Sequence, residues 1–527
     1  MLAMKASSNS TMPVSSLFPK ARLVVGLIIS LFVLVQFFDH RHAALLAKLN
    51  RRPKSDGFQV FPISGFANTR IPHEAHCDDL RVNDEIAVSD SIYLDDDLLD
   101  IANSIEHEII DYSGQPKGQS FASMVRKTWG RMSGSSVWLE KYGLYFTVSR
   151  VFFYTKGVKH WPIMSFLRVQ LHDENWVELK NHTLEWKGQL QTFPRILDID
   201  APYNIGGSFY GPEDPRIIIE QGADDAEPLI IFNMVSNLTS VARSMHAHHP
   251  FSNFTTEFII DHQQPTGAEK NWMPFFLPQT QRQKRGQPQY PSVYVNFLYN
   301  WNPLKILRCH VLNGGCRWAY IQPIPASYAS KHIHNMTSGA MRGGSNFEPL
   351  PVSINTRPGL TTFIGIPRTH IDAGCPGDAQ YRPELVVLTT DGDTYWLDYV
   401  SQELNFGSRI LPPDLANDPC DQGRIMMANS IARIHNHKPR KPKQDLMEVT
   451  FSVADSTIQI ATLKGVVDVV ANLPQFERSS AANWQHIDVE WNANVTSDIL
   501  KCAVSSAAQY AIDHAPPSID EAAGPSS

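Results

Sequence analysis

Between about residues 120 and 470 the apolar positions fall in short runs, LYFTVSRVFFY, SFLRVQLH, RIIIE, LIIFNMV, TEFIIDH, VYVNFLYN, LTTFIGIPR, ELVVLTT, TYWLDYV, EVTFSV and TIQIATL, each bounded by Pro, Gly, Asn or Asp. β-Branched and aromatic residues suit a pleated surface and turn residues punctuate them, so the pattern predicts many short strands with no helical period between them. That describes an all-β sandwich, barrel or propeller, and no WD- or kelch-type repeat chooses among the three. Ahead of the strands, SIYLDDDLLDIANSIEHEIIDY repeats Leu98, Leu99, Ala102, Ile105, Ile109 and Ile110 at three to four residues, an amphipathic helix. Asp95, Asp96 and Asp97 stand at its start, where a helix attracts carboxylates for capping and dipole reasons; no strand precedes them to present a metal-binding Asp-x-Asp at a sheet edge. A second amphipathic segment runs from Ser497 to Ala515, before a polar tail.

The one long apolar run is Leu23 to Phe38, LVVGLIISLFVLVQFF. It falls a little short of the roughly 20 residues that span a bilayer, and no small-x-small cleavage site follows, so it reads as an uncleaved signal anchor of a thin early-secretory membrane. Lys and Arg are more numerous just after the run than before it, which argues for the opposite orientation. Five sequons, at Asn181, Asn237, Asn253, Asn335 and Asn494, and six cysteines favour a lumenal body. Cys309 and Cys316 flank VLNGG, a turn that could close a small disulfide loop. The expected order is a cytosolic tail (1–20), a signal anchor (21–38), a stem (39–90), a catalytic β domain led by the helix (91–475) and a C-terminal extension (476–527). The expected location is the Golgi membrane, single-pass type II.

With 527 residues, 43% hydrophobic and 10% aromatic, the chain can bury a large core. A net charge of −7 and no basic stripe interleaved with aromatics exclude a nucleic-acid binder, leaving small molecules, glycans or proteins as partners.

Polar clusters sit at strand ends where packing does not call for them. YGPEDPRIIIE, Tyr210 to Glu220, sets Glu213 and Asp214 against Arg216 at a strand entrance, an acid pair beside a charge clamp of the kind sugar chemistry uses. Ser149-Arg150 and Ala454-Asp455 are similar. Lys270, Arg342, Arg368, His370 and Arg382 form a cationic set that would suit phosphate oxygens if the loops of a closed β architecture converge.

The ordered series SRVFFYTKGVKHWPIMSFLRVQLHDENWVEL, GPEDPRI, EKNWMPF, NFLYNWNPLKILRCHVLNGGC, MRGGSNFEPLP, GIPRTHID, YRPELVVL, NSIARI and FSVAD resembles the fungal β-1,2-mannosyltransferases that extend cell-wall mannan, over roughly residues 95 to 470. GPEDPR and SVADSTIQIA also resemble β-mannoside phosphorylases and hydrolases with an EDPR motif. The resemblance implies a five-bladed β-propeller, which the anchor helix, stem and flanking helices read above would accompany. It implies that Asp214 is the catalytic carboxylate, that Arg150 and Asp455 hold the reacting mannose, that Arg216 anchors the loop or a substrate hydroxyl with Glu213 in a supporting role, and that Lys270, Arg368, His370 and Arg382 lie toward the phosphate; Ser149, next to Arg150, is counted with the substrate-binding residues and Arg342 with the phosphate-binding set. The expected reaction is inverting transfer of β-linked mannose from GDP-mannose to mannan or an oligomannoside, with the cations stabilising the departing diphosphate; if Arg and Lys supply that charge, no metal is required, and no other cofactor is expected. A β-mannoside phosphorylase using inorganic phosphate at the same site is the main rival, and a non-catalytic glycan-binding propeller the second.

Overall fold

The structure, a computed structural model, describes residues 57–68, 76–105, 118–154, 161–201, 208–236, 243–263, 269–278, 290–323, 341–350, 359–371, 380–406, 409–410, 425–435, 445–476 and 489–513. The tail, the anchor run, residues 39–56 and 69–75 of the expected stem, the basic loops QRQKRG and HKPRKPK, Cys375, Cys420, Asn237 and Asn335 lie outside them.

The apolar runs become strands that pair with their successors in antiparallel meanders. Trp129–Leu139, Leu144–Tyr154, Pro162–His172 and Arg195–Ile196 form a first sheet. Glu213–Ile218, Leu229–Val235, Arg243–His249 and Phe254–Glu257 form a second. Met273–Phe275, Tyr294–Trp301, Leu304–His310 and Gly315–Ile321 form a third, with Ile259–Ile260 added in parallel at its edge. The fourth sheet has ten strands. It joins one run, from Phe347–Pro349 to Tyr395–Ser401, to another, from Met426–His435 to Thr457–Lys464, through the pair Gln59–Ala67 and Arg81–Val88. The chain is thus mainly β, in a propeller-like arrangement of four blades.

The first strands of successive runs touch one another: Trp129–Leu139 lies against Met426–His435 and Glu213–Ile218, which packs on Met273–Phe275, which packs on Phe347–Pro349. Each blade is therefore covered on both faces. Leu144–Tyr154 is buried along almost its whole length, which explains why its sequence is a near-continuous apolar run and not an alternating one. Phe146, Phe193 and Phe251 fill the space between the first two sheets, with ring centroids 5.4 to 6.2 Å apart.

Two expectations about the ends of the body change. Residues 59–67 and 81–88, expected in the stem, are strands of the widest sheet. Their partners, Tyr395–Ser401 for the first and Thr457–Lys464 for the second, are far away in sequence, and half-exposed strands such as RVNDEIAV carry little periodic signal. The C-terminal segment is a helix from Val489 to Asp513 built into the same body: Gln322 Nε2 donates to Ala493 O at 2.6 Å, and Cys502 is bonded to Cys77. Cys309 and Cys316 form a second disulfide across the expected turn.

The first amphipathic helix is Leu98–Ser104, shorter than its pattern; Ile109 and Ile110 lie outside the described residues. Asp97 caps it, accepting from the N–H groups of Leu99 at 2.9 Å and Asp100 at 3.2 Å, while buried Asp96 pairs with Arg168 at 3.3 Å. Asn181 and Asn253 are exposed in turns, whereas Asn494 is half-buried on the long helix.

Candidate functional site

In a regular strand Glu213 and Asp214 would point to opposite faces. Here the ladder to Leu229–Val235 shifts register between Glu213 and Arg216, Pro215 has no N–H to give it, and Asp214 takes φ 50°. This bulge turns both carboxylates toward Arg150, whose guanidinium reaches Glu213 Oε1 at 2.6 Å and Asp214 Oδ1 at 3.7 Å. Glu213 is clamped from its other side by Arg243, which also donates to Asn233 Oδ1 at 2.9 Å. Asp214 keeps 38% of its side chain exposed and accepts a hydrogen bond from the Ser133 hydroxyl at 3.3 Å.

Ser133 sits at a matching irregularity in Trp129–Leu139 with φ 54°, its N–H held by Ser452 Oγ at 3.0 Å. Asn271, Ala454 and Asp455 also have positive φ, at 67°, 55° and 47°. Each such residue costs of order 1–3 kcal/mol, and strain of this kind persists where surrounding contacts over-determine the backbone.

One cation, Arg216, lies on the same strand as Asp214, and the others come from farther along the chain. Arg216 donates to the carbonyls of Gly344 and Pro215, the latter at 2.8 Å, and Arg368 donates to Gly343 O and, at 2.7 Å, to Asn271 Oδ1. The glycine pair is required by close approach: a Cβ on Gly343 would lie 1.9 Å from Asn271 O, and one on Gly344 2.1 Å from Ile366 O. Buried Arg368 keeps an Nε–H with no partner among the described residues. Arg342, Arg368, His370 and Tyr381 share one face of the small sheet Met341–Arg342, Arg368–Ile371, Gln380–Pro383. Lys270 is exposed and within the field of Asp214.

Enclosure by the protein pushes the Asp214 carboxyl up, but Arg150, Arg216, Arg368 and Lys270 together outweigh it and hold the group below the usual carboxylate range. Burial brings Arg216 down to about 10, with repulsion from Arg368 adding to it and Asp214 opposing. Burial also lowers Arg368, against the attraction of Asp214, Tyr381 and Asp455. Asp455 thus lies in the same electrostatic neighbourhood, at the turn between Leu446–Val453 and Thr457–Lys464.

Asp214, Glu213, Arg150, Arg216, Asp455, Lys270, Arg342, Arg368 and His370 are therefore brought to one region, by contact, by a shared sheet face or by mutual electrostatic influence. Two candidates are not. Ser149 is on the opposite face of its strand from Arg150, where its Oγ accepts from Arg131 Nε at 3.0 Å within a buried network. Arg382 is paired with Thr369, on the face away from Arg368, and lies over the Tyr510 ring of the long helix at 5.8 Å. Strand parity separates each from its neighbours, and parity follows from register, which a sequence does not display. Arg243 and Ser133 were missed for the converse reason. Neither belongs to a motif, and only strand pairing brings Arg243 beside Glu213.

Residues 76–247 and 235–510 match a family model described as Beta-mannosyltransferases. Beta-mannosyltransferase 1 of Komagataella phaffii is 29% identical over 354 residues, covering 65% of this chain and 52% of that protein. Beta-mannosyltransferase 4 of the same species is 30% identical over 460 residues, covering 85% and 83%, and Beta-mannosyltransferase 3 of Candida albicans is 32% identical over 406 residues, covering 74% and 67%. The chain thus spans about half the length of the first of these relatives and more of the other two. Among solved structures, a family 117 glycoside hydrolase from Zobellia galactanivorans aligns with 65% of this chain and 87% of its own at 11% identity, with a TM-score of 0.27, too slight a likeness to fix the architecture.

Proposed function

We propose that this chain, which belongs to the β-mannosyltransferase family, transfers mannose from GDP-mannose to a hydroxyl of a mannan or oligomannoside with inversion, forming a β-linkage, a 1,2-linkage by the sequence resemblance given above. The observation that carries this reading is the placement of Asp214 on a bulge between Arg150 and Ser133, inside the field of Arg216, Arg368 and Lys270. Asp214 takes the proton of the acceptor hydroxyl as it attacks the anomeric carbon, opposite the departing diphosphate. Arg368, whose Nε–H has no partner among the described residues, Arg342 and Lys270 receive the negative charge that develops on the leaving group.

The electrostatics support the order of events. A carboxylate held low is a weak base, and the cations that hold it low are the ones a diphosphate would claim. Binding of the donor would offset part of that positive field and raise Asp214 toward working pH.

The wide sheet reads as two blades joined at their outer edges by Gln59–Ala67 and Arg81–Val88, which makes five blades in all. Two disulfides and the exposed sequons at Asn181 and Asn253 favour a lumenal body, and Leu23–Phe38 would anchor it in the Golgi membrane in type II orientation. The test is to incubate the protein with α-mannobiose and either GDP-mannose or mannose-1-phosphate and to examine the product by NMR. A β-linked mannose formed from GDP-mannose alone is expected. Product from mannose-1-phosphate alone would make the protein a phosphorylase, and binding without turnover of either donor a lectin.

A further inference from the structure

Trp161 is the one tryptophan among the exposed large hydrophobic side chains of the described residues, at 59% exposure. It is nevertheless held firmly. Its indole Nε1 donates to Ser208 Oγ at 2.8 Å, and its ring meets Phe209 nearly edge-on, with centroids 4.8 Å apart at 62°. The segments that carry the two rings are stitched together by backbone bonds, Phe209 N to Pro162 O at 2.8 Å, Tyr210 N to Ile163 O at 3.0 Å and Ser165 N to Tyr210 O at 2.8 Å. Single exposed apolar residues are common and need no explanation. An exposed indole whose polar edge is already satisfied and whose orientation is fixed differs from them, because its open face is prepared for a partner before that partner arrives.

Its position says what the partner is. Phe209 lies under the Arg243 guanidinium at 5.4 Å, and its carbonyl accepts from Arg243 Nη2 at 3.1 Å, while Arg243 Nη1 pairs with Glu213. Two contacts therefore link Trp161 to the guanidinium that holds the carboxylate next to Asp214. The positive charge on this side is spent on Glu213, in contrast to the small sheet that carries Arg342 and Arg368. An anionic diphosphate belongs on that cationic side. A neutral ligand with an apolar face belongs on the side of the indole. The C–H face of a pyranose fits, being apolar and faintly positive against the negative face of the ring.

We infer that Trp161, buttressed by Phe209, is a subsite for the acceptor glycan, on which stacks the mannose residue glycosidically next to the one that bears the attacking hydroxyl. The inference rests on the mannosyl-transfer reading for its enzymatic consequence but not for binding, and the two are separable by experiment. The full chain, its Trp161→Ala variant and its Trp161→Phe variant are compared with methyl α-mannoside and α-mannotriose as acceptors, and α-mannotriose binding is followed in parallel by calorimetry. Trp161→Ala should raise the KM for α-mannotriose about fivefold to tenfold, the loss of one aromatic contact, and weaken its binding by a similar factor. The loss should fall on KM and not on kcat, and Trp161→Phe should recover most of it. An unchanged KM and unchanged binding, or a fall in kcat alone, would overturn the subsite. If the wild-type protein turns over no donor, the transferase reading fails, and calorimetry still decides the subsite: weakened binding in Trp161→Ala upholds it, unchanged binding removes it.

Discussion

Position 214 asks for a carboxylate and a left-handed backbone at once, and Asp is among the few non-glycine residues that tolerate the second. Asn tolerates it equally well and fills the same volume, so Asp214→Asn should fold normally yet lose 10² to 10⁴-fold in kcat, the usual contribution of a general base. Matched melting curves beside the rate measurement check both halves. The sign of the field around Asp214 predicts the companion effect: since Arg368 helps hold the carboxyl low, Arg368→Gln should move the acid limb of the kcat/KM profile to higher pH. Glu348 is the opposite case. It lines a cavity of about 120 Å³ bounded also by Ile218, Phe275 and Leu277, away from Asp214 along the Glu213–Ile218 strand. Enclosure there pushes its carboxyl up to about 8, only partly opposed by the Asn346 amide at 2.7 Å. A group raised on folding contributes stability that is fully present below its unfolded pKa and lost as pH rises through the folded value. The melting temperature should therefore decline between about pH 5 and 8 in the wild type, and Glu348→Gln should flatten that decline; equal slopes would refute the assignment.

The Glu213–Ile218 strand does at the scale of an element what no residue does alone. Its bulge gathers two adjacent carboxylates onto Arg150, and the Arg243–His249 strand closes the clamp on Glu213 from the other side. Removing Glu213 leaves Arg243, 17% exposed, without the carboxylate that clamps it and Arg150, 5% exposed, with only its longer contact to Asp214 at 3.7 Å. Glu213→Ala should cost about 3–5 kcal/mol in denaturant unfolding, far more than a surface pair would. The strands themselves were legible from the sequence because β-branched runs between turn residues announce them. The bulge was legible only as an oddity, a proline and two acids where a ladder should start. The helix at Leu98 was announced by its period, and its Asp97 cap follows from the same local chemistry.

For the molecule as a whole, the ends of the body meet. The outer strand pair near residue 60, the helix that ends at Asp513 and the Cys77–Cys502 disulfide, which spans 425 residues of sequence, tie the two termini of the described body into the widest sheet. Closing so long a loop constrains the unfolded chain, and replacing both cysteines by Ser should lower stability by about 2–5 kcal/mol in equilibrium unfolding. The pairing of Cys309 with Cys316 was foreseeable because it is local, across one turn. That of Cys77 with Cys502 was not, because nothing in either neighbourhood refers to the other.

By itself the sequence determined the class of the fold, the positions of most strands and, through the EDPR motif, the residue proposed here as the general base, since propensity, turn punctuation and motif are local and survive without coordinates. Tertiary structure alone decided which side of each strand faces the site. A shift of one residue in register sends a side chain to the opposite face, and that parity removed Ser149 and Arg382 from the cluster and brought Arg243 and Ser133 into it.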